Sequence, residues 1–260
     1  MSTDVVLYEV SERIATVTLN RPEARNALSS EVLRRLPELL RQADADPQVD
    51  VIILTGSDPA FCAGLDLKEL GSDDGKLLNT GADGSVNADG IRGPFPKISK
   101  PFIGAVNGVA VTGGIELALN CDFLIASERA KFGDTHARVG VMPGWGLSVL
   151  LPQAVGVRRA REMSFTGNFM DAHEALQFRL VNHVVPHEEL MPFTRKIALD
   201  IIGNVQEGVR ELRQTYALNS AEVDNWKNES ASSQAWRQRN FDPTLVAERR
   251  AKIMERGRNQ

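Results

Sequence analysis

Cysteine is scarce in this chain of 260 residues, and histidine is nearly so. The two cysteines, Cys62 and Cys121, give neither a disulfide framework nor the spacing of metal ligands. Both lie among apolar or small residues, which predicts buried free thiols in a reducing compartment. The four histidines show no metal-binding spacing either. We therefore expect no metal site.

A strong excess of one charge and long apolar runs are also missing. The net charge is −4 and the isoelectric point is about 5.7, so the composition gives no electrostatic basis for binding nucleic acid or an anionic membrane. No run approaches the ~20 apolar residues of a membrane-spanning helix, and Met1–Asp4 lacks the features of a signal peptide. Hydrophobic residues make up 42% of the chain, which suffices for an ordinary core. We expect a cytoplasmic protein.

The stretch Asn107–Asp122 contains the most informative local pattern. An apolar strand, Phe102–Val106, leads through a glycine turn that includes Gly113 and Gly114 into a helix with Glu116 in its first turn. Such a turn brings backbone N–H groups and the positive end of a helix dipole together, where they can hold a developing negative charge. Glu116 is then a candidate proton-transfer group. The alternative is a tight turn whose glutamate only favours the helix start.

A second turn of this kind precedes it. The apolar strand Val51–Thr55 is followed by a small-residue turn at Ala63–Gly64 and by a helix that opens with Asp66. Two such turns can direct two N–H donors to one oxygen atom. Strands and helices alternate after this point, which indicates α/β layering.

The other elements are predicted from periodicity and capping signals. Val5–Val10 and Ile14–Leu19 are expected to form a hairpin. A helix is expected after the N-cap residue Ser29, although Pro37 implies a kink or a later start. The segment 71–101 is expected to be a mobile surface loop. Further helices are predicted at Leu147–Val155, Arg158–Phe165, Asp171–Phe178, Leu190–Val205, Val209–Asn219, Trp226–Trp236 and Leu245–Arg256. Asp171, with Glu174 three residues later, resembles the start of a capping box.

Several of these motifs, in this order, resemble the crotonase (enoyl-CoA hydratase/isomerase) superfamily. They are Asn20-Arg-Pro with Asn26-Ala-Leu, Phe61-Cys-Ala-Gly-Leu-Asp-Leu, Lys100-Pro-Phe-Ile-Gly-Ala-Val-Asn-Gly, Gly113-Gly-Ile-Glu-Leu-Ala, Cys121-Asp, Phe132-Gly, Gly140, Pro143-Gly, Phe165-Thr-Gly and Glu174-Ala. The resemblance covers most of the chain and is specific for the superfamily rather than for one reaction.

The resemblance implies a ββα spiral core at residues 1–195 and a helical oligomerisation region at residues 196–260. It also implies assembly as a trimer or a dimer of trimers, with an acyl-CoA thioester as the ligand and no other cofactor. The backbone N–H groups of Leu65 and Gly113 would form the oxyanion hole for the thioester oxygen. Residues near the substrate and its CoA arm would be Ala63, Gly64, Asp66, Leu67, Lys68 and Gly114.

The sequence departs from this family at two positions. Typical hydratases hold the added water between two glutamates; Glu116 matches the first, but His136 occupies the place of the second. An imidazole can exchange a proton near neutral pH, so His136 could substitute, and Asp134 is a nearby alternative if the backbone shifts. Arg179 stands where such chains usually have a glycine after the helix, which predicts either a strained left-handed residue or a different turn.

Three functions follow from these residues. The first is hydration of a 2-enoyl-CoA by Glu116 and His136 together. The second is a related reaction through the same enolate, such as double-bond isomerisation with Glu116 as a single base. The third is a non-catalytic acyl-CoA-binding protein that kept the fold and the two turns.

Overall fold

The computed structural model describes residues 4–71, 77, 93–220 and 223–258. Its strands are β1 Val6–Ser11, β2 Ile14–Leu19, β3 Val51–Gly56, β4 Ala60–Cys62, β5 Phe102–Val106, β6 Val109–Val111, β7 Phe123–Ser127, β8 Lys131–Gly133, β9 Met170–Asp171 and β10 His183–Val185. Its helices are α1 Ser30–Ala45, α2 Leu67–Leu70, α3 Gly113–Leu119, α4 His136–Val139, α5 Leu147–Val155, α6 Val157–Thr166, α7 Ala172–Gln177, α8 Leu190–Ile202, α9 Gln206–Ser220, α10 Val223–Asn240 and α11 Pro243–Arg258.

The larger sheet has six strands in the order β1-β2-β3-β5-β7-β10. The hairpin β1–β2 is antiparallel, as predicted, and the other neighbours run parallel. Alternate residues of the buried strand β3 face opposite sides of the sheet. Ile53 packs in the cluster that contains Leu190 and Ala198 of α8, whereas Ile52 packs in the main core with Leu36 of α1. The predicted α/β layering is confirmed.

The smaller sheet, β4-β6-β8-β9, repeats the connectivity of the larger one. The chain repeats a unit of one strand in each sheet followed by a helix, giving β3–β4–α2, β5–β6–α3 and β7–β8–α4. Strands β4, β6 and β8 pair in parallel, with Ala60 opposite Val109 and Val109 opposite Lys131. The starts of α2, α3 and α4 therefore follow neighbouring strands of one sheet and lie close together.

Two local predictions about helix starts are confirmed. The Ser29 hydroxyl accepts a hydrogen bond from the Val32 amide at 3.3 Å, and α1 runs through Pro37, so a later start is wrong. Asp171 and Glu174 form the reciprocal hydrogen bonds of a capping box at the start of α7.

The C-terminal part of the described chain is helical, as predicted. The expected boundary between residues 195 and 196 falls inside α8, which packs against the larger sheet. Helices α10 and α11 return to the core, whereas no residue of α9 is buried. In the described ranges, no helix has the length and apolar character needed to cross a membrane.

The remaining local predictions have mixed outcomes. Cys62 and Cys121 are buried free thiols, as expected. Most of the predicted mobile loop at 71–101 lies outside the described residues.

Arg179 occupies a left-handed conformation after α7, with φ 63°. A side chain in this region costs ~1 kcal/mol or more, and glycine avoids that cost. We expect Arg179→Gly to raise the free energy of unfolding by about 0.5–1 kcal/mol, as measured by urea denaturation. Arg179→Ala is the matched control, because it shortens the side chain but keeps Cβ. Equal stability of the two variants would contradict the strain.

Candidate active site

A cavity of about 730 Å³ opens where the starts of α2, α3 and α4 meet the C-terminal helices. The spiral core contributes Arg21, Ala63, Leu65, Asp66, Leu67, Lys68, Gly113, Glu116, His136 and Trp145, among others. The C-terminal helices and the link between them contribute Ser233, Trp236, Arg237, Phe241, Arg250 and Met254. The cavity therefore contains both predicted turns and is lined on its other side by the predicted helical C-terminal region.

The two predicted glycine turns lie against each other at the cavity wall. A Cβ on Gly64 would lie 3.2 Å from the Gly113 amide nitrogen. Leu28 fixes the first turn, since its amide donates to the Gly64 carbonyl at 2.8 Å and its carbonyl accepts from the Asp66 amide at 3.0 Å. Within the part of the chain that the structure describes, the amides of Leu65 and Gly113 donate to no backbone or side-chain acceptor. Both remain available to a ligand oxygen.

Thr112, immediately before Gly113, has a strained backbone. Its φ of 55° and ψ of −120° lie in a region that β-branched residues rarely adopt, at a typical cost of ~1–3 kcal/mol. The Thr112 hydroxyl is hydrogen-bonded to the hydroxyl of Thr135, the residue before His136. This bond ties the second glycine turn to α4. Periodicity and motif spacing gave no signal for either threonine.

Glu116 and His136 come together at the cavity wall. One carboxylate oxygen of Glu116, Oε1, accepts from the amides of Gly144 at 3.2 Å and Trp145 at 2.8 Å. The other, Oε2, lies 3.4 Å from Nε2 of His136. Both side chains are buried. One oxygen is thus fixed by the backbone, while the other faces the imidazole.

Asp134 lies behind the imidazole, on the side opposite to Glu116. Its Oδ1 is 2.6 Å from Nδ1 of His136 and accepts from the His136 amide at 3.1 Å. Asp134 is not part of the cavity wall, whereas His136 is. Of the two groups that could replace a second glutamate, the structure places His136 opposite Glu116 and Asp134 in support of it.

Known proteins of one family resemble this chain over most of its length. The family model for enoyl-CoA hydratase/isomerase matches residues 9–252. A probable peroxisomal enoyl-CoA hydratase 1 of Arabidopsis thaliana is 41% identical over 201 residues, which are 77% of this chain and 73% of that protein. A short-chain-enoyl-CoA hydratase of Clostridium acetobutylicum is 36% identical over 217 residues, 82% of this chain and 81% of that protein.

A solved structure of an enoyl-CoA hydratase from Mycobacterium tuberculosis H37Rv superposes with a TM-score of 0.81 at 47% identity, covering 90% of this chain and 98% of that one. The chain belongs to the enoyl-CoA hydratase/isomerase family. The resemblance read from the sequence motifs is confirmed, and so is the crotonase-like spiral fold. The roles of individual residues in this family member remain predictions.

The electrostatic environment makes His136 a cation. Burial by itself lowers the pKa of His136, but hydrogen bonds and charges from Asp134 and Glu116 outweigh it and raise the pKa to about 10. Burial raises the pKa of Asp134, yet the bond to His136 and its positive charge bring that pKa below its ordinary value. The site therefore holds an imidazolium between two carboxylates, a proton donor facing the cavity.

The predicted substrate-binding residues divide into two groups. Ala63, Leu67 and Lys68 line the cavity, and so does Asp66, whose carboxylate also caps α2 and pairs with Arg21 at 2.9 Å. Gly64 and Gly114 are not in the cavity wall; a Cβ on Gly114 would overlap the Cys62 carbonyl, which makes its role one of close backbone packing.

Five basic residues of the cavity wall were not among the predicted site residues: Arg21, Arg25, Arg138, Arg237 and Arg250. For Arg21 a signal existed in the Asn20-Arg-Pro motif. Arg237 and Arg250 reach the cavity only through the return of α10 and α11. In the described ranges, no cluster of side chains suited to a metal ion occurs.

We expect His136 to stay doubly protonated far above the usual pKa of a histidine. Because the raised pKa favours the charged form, the imidazolium should persist as pH rises past 6.5 and disappear only near pH 10. Titration by ¹⁵N NMR measures this directly, with His136→Asn identifying the signal. Asp134→Asn should lower the pH midpoint of the His136 titration, because it removes one of the two carboxylates that raise this pKa. A His136 midpoint near 6.5 in the unmodified protein would contradict the charged site.

Proposed function

We propose that this chain is an enoyl-CoA hydratase, which adds water across the C2–C3 double bond of a 2-enoyl-CoA and forms a 3-hydroxyacyl-CoA. The observation that carries the proposal is the pairing of Glu116 with His136, 3.4 Å apart, in the cavity that also holds the amides of Leu65 and Gly113. A base, an acid and an oxygen-binding pair thus share one wall. The reaction needs no cofactor beyond the coenzyme A of the substrate.

The oxygen of the substrate thioester accepts hydrogen bonds from the amides of Leu65 and Gly113. These donors stabilise the negative charge that develops when a nucleophile attacks C3, and removing one such donor typically costs ~10²–10³-fold in rate. The start of α3 adds the positive end of a helix dipole at the same point. The enolate is the intermediate that this geometry supports.

Glu116 acts as the base and His136 as the acid. The carboxylate takes a proton from water as the water oxygen bonds to C3, and the imidazolium gives its Nε2 proton to C2 of the enolate. One proton is taken and one is given, so water is added without net change to the protein charge. The short separation of Oε2 and Nε2 then lets the proton on Glu116 return to His136.

Double-bond isomerisation is the second candidate, because only one of the two glutamates of typical hydratases is present. In that reaction Glu116 would move a proton between C2 and C4 without water. A purely binding role fits less well, since burying Glu116 beside His136 and Asp134 costs free energy that a passive cavity does not need to spend.

Substitution of the acid and the base separates these functions. We expect Glu116→Gln and His136→Ala each to lower kcat for a short 2-enoyl-CoA by about 10²-fold or more. The reaction is monitored as the loss of the conjugated thioester absorbance. With a 3-enoyl-CoA, an isomerase would lose activity in Glu116→Gln but keep it in His136→Ala.

Matched controls are available on the surface. Glu248→Gln and His173→Ala change the same residue types at exposed positions of α11 and α7 and should leave the rate unchanged. Hydration that survives both active-site substitutions would overturn the acid–base assignment. Binding of acyl-CoA without turnover of either substrate would leave the chain as a binding protein.

We also propose that the chain assembles as a homotrimer or a dimer of trimers and acts in the cytoplasm on a soluble acyl-CoA, with no nucleic-acid or membrane partner. Support for assembly comes from α9, where Leu212 and Tyr216 lie on one face and are 61% and 74% exposed. Exposed apolar side chains at this spacing are typical of an interface.

A charge on this face should weaken the assembly. We expect Leu212→Glu to shift the protein toward monomers in size-exclusion chromatography with light scattering, because the interface would have to bury a carboxylate. Gln214→Glu adds the same charge to the same helix away from Leu212 and is the control. A monomeric unmodified protein would contradict the proposed assembly, whatever its activity.

A further inference from the structure

The start of α5 has no cap of its own. Its N-cap residue is Gly146, which has no side chain and a φ of 98°. Glu229, in the middle of α10, supplies the missing acceptor: its carboxylate accepts from the amides of Gly146 and Ser148, both at 2.6 Å, and from the Ser148 hydroxyl. The cap therefore comes from a helix more than 80 residues further along the chain.

The short loop at residues 144–148, which Glu229 contacts, also contacts Glu116. The amides of Gly144 and Trp145 donate to Glu116, and the next available amides, of Gly146 and Ser148, donate to Glu229. Residues 144–148 thus lie between two buried carboxylates that face them from different elements. A shift of this loop on the Glu229 side necessarily moves the amides that fix Glu116.

We propose that Glu229 is a positioning residue for the reaction: by anchoring residues 144–148 to α10, it holds the carboxylate of Glu116 in the orientation that faces His136. The proposal rests on the function argued above, and it gives the C-terminal helices a part in completing the active site. Glu229 itself is not in the cavity wall.

Packing around the anchor leaves the loop little freedom. A Cβ on Gly146 would overlap the indole ring of Trp226, one turn before Glu229 on α10. On the other side, a Cβ on Gly113 would lie 3.0 Å from the Trp145 ring, so the loop also covers the second glycine turn. Displacement of α10 would loosen both Glu116 and the packing of Trp145 against the second glycine turn.

The charge on Glu229 is costly, which argues against a role as an ordinary helix cap. Burial and the nearby charge of Glu116 raise the pKa of Glu229, even though Gly146 and Ser148 donate to it. A local cap is ruled out in this conformation, because position 146 has a positive φ and a side chain there would overlap the Trp226 ring. The arrangement found here connects α10 to the loop, which a local cap would not do.

Substitutions at Glu229 test the proposal through the split between kcat and KM. We expect Glu229→Ala to lower kcat for a short 2-enoyl-CoA by about 10- to 100-fold, because small displacements of a catalytic group have effects of this size, while KM changes by about twofold or less. Glu229→Gln keeps an oxygen acceptor, so its kcat should lie between that of the unmodified protein and that of Glu229→Ala. Ser148→Ala should lower kcat slightly, since it removes only the hydroxyl donor.

Asn228→Ala is the matched control, because Asn228 is the exposed neighbour of Glu229 on the same helix. Each variant is compared well below its thermal unfolding midpoint, measured by circular dichroism. A folded Glu229→Ala protein with unchanged kcat would overturn the proposal and reduce Glu229 to a structural cap. If that variant does not fold, unchanged kcat in both Glu229→Gln and Ser148→Ala would overturn it equally.

A readout independent of turnover separates this proposal from the proposed function. Contact with Glu116 helps to raise the pKa of His136, so loosening Glu116 should lower the ¹⁵N NMR titration midpoint of His136. Glu229→Ala should lower it more than Glu229→Gln, although both remove the same charge. If the unmodified protein shows no hydratase activity, the proposed function fails, and this difference between the variants still decides whether Glu229 positions Glu116.

Discussion

A carboxylate buried at the start of a short helix is the constraint on which the rest of this site depends. Glu116 is almost fully buried, and an uncompensated charge in that position would cost several kcal/mol. Its compensation comes from the amides of the loop after α4 and from the imidazolium of His136, neither of which belongs to α3. Glu116 is therefore tolerated only when three separate segments are in place.

The spiral topology brings those segments together. Parallel pairing of β4, β6 and β8 puts three helix starts side by side, and glycine allows the two turns to approach each other closely. Thr112 shows the limit of this arrangement, since it adopts a conformation suited to glycine and is held there by Thr135. The strain lies at the residue before Gly113, where the amide direction matters most.

Local chemistry explains what the sequence could predict. The N-cap at Ser29, the capping box at Asp171 and the left-handed residue at Arg179 each depend on a few adjacent residues, and all three were visible in the sequence. The two glycine turns and Glu116 were visible for the same reason. The pairing of the two turns as donors to one oxygen was inferred from the residues and agreed with the family resemblance. The structure places the two turns against each other, and the roles of the Leu65 and Gly113 amides stay a prediction.

The contacts that escaped prediction join distant parts of the chain. Glu229 meets Gly146 across 83 residues, and Arg21 meets Asp66 across 45. No periodicity or spacing rule links such positions. The first contact exists only after α10 packs against the spiral core, and the second only after the spiral core brings its own loops together. The support of His136 by Asp134 is nearer in sequence, but which face of the imidazole each carboxylate takes depends on how α4 is docked.

Replacing a glutamate by histidine changes the physics of the acid–base pair. Two facing carboxylates repel each other and share a proton, whereas Glu116 and His136 attract each other as opposite charges. A proton held with a pKa of about 10 is a weak acid, because both carboxylates retain it. Water placed between Oε2 and Nε2 would weaken one of those contacts and bring that pKa toward the range where proton transfer is efficient. Asp134 would keep the ring oriented while this happens, which explains why the imidazole needs a carboxylate on each side.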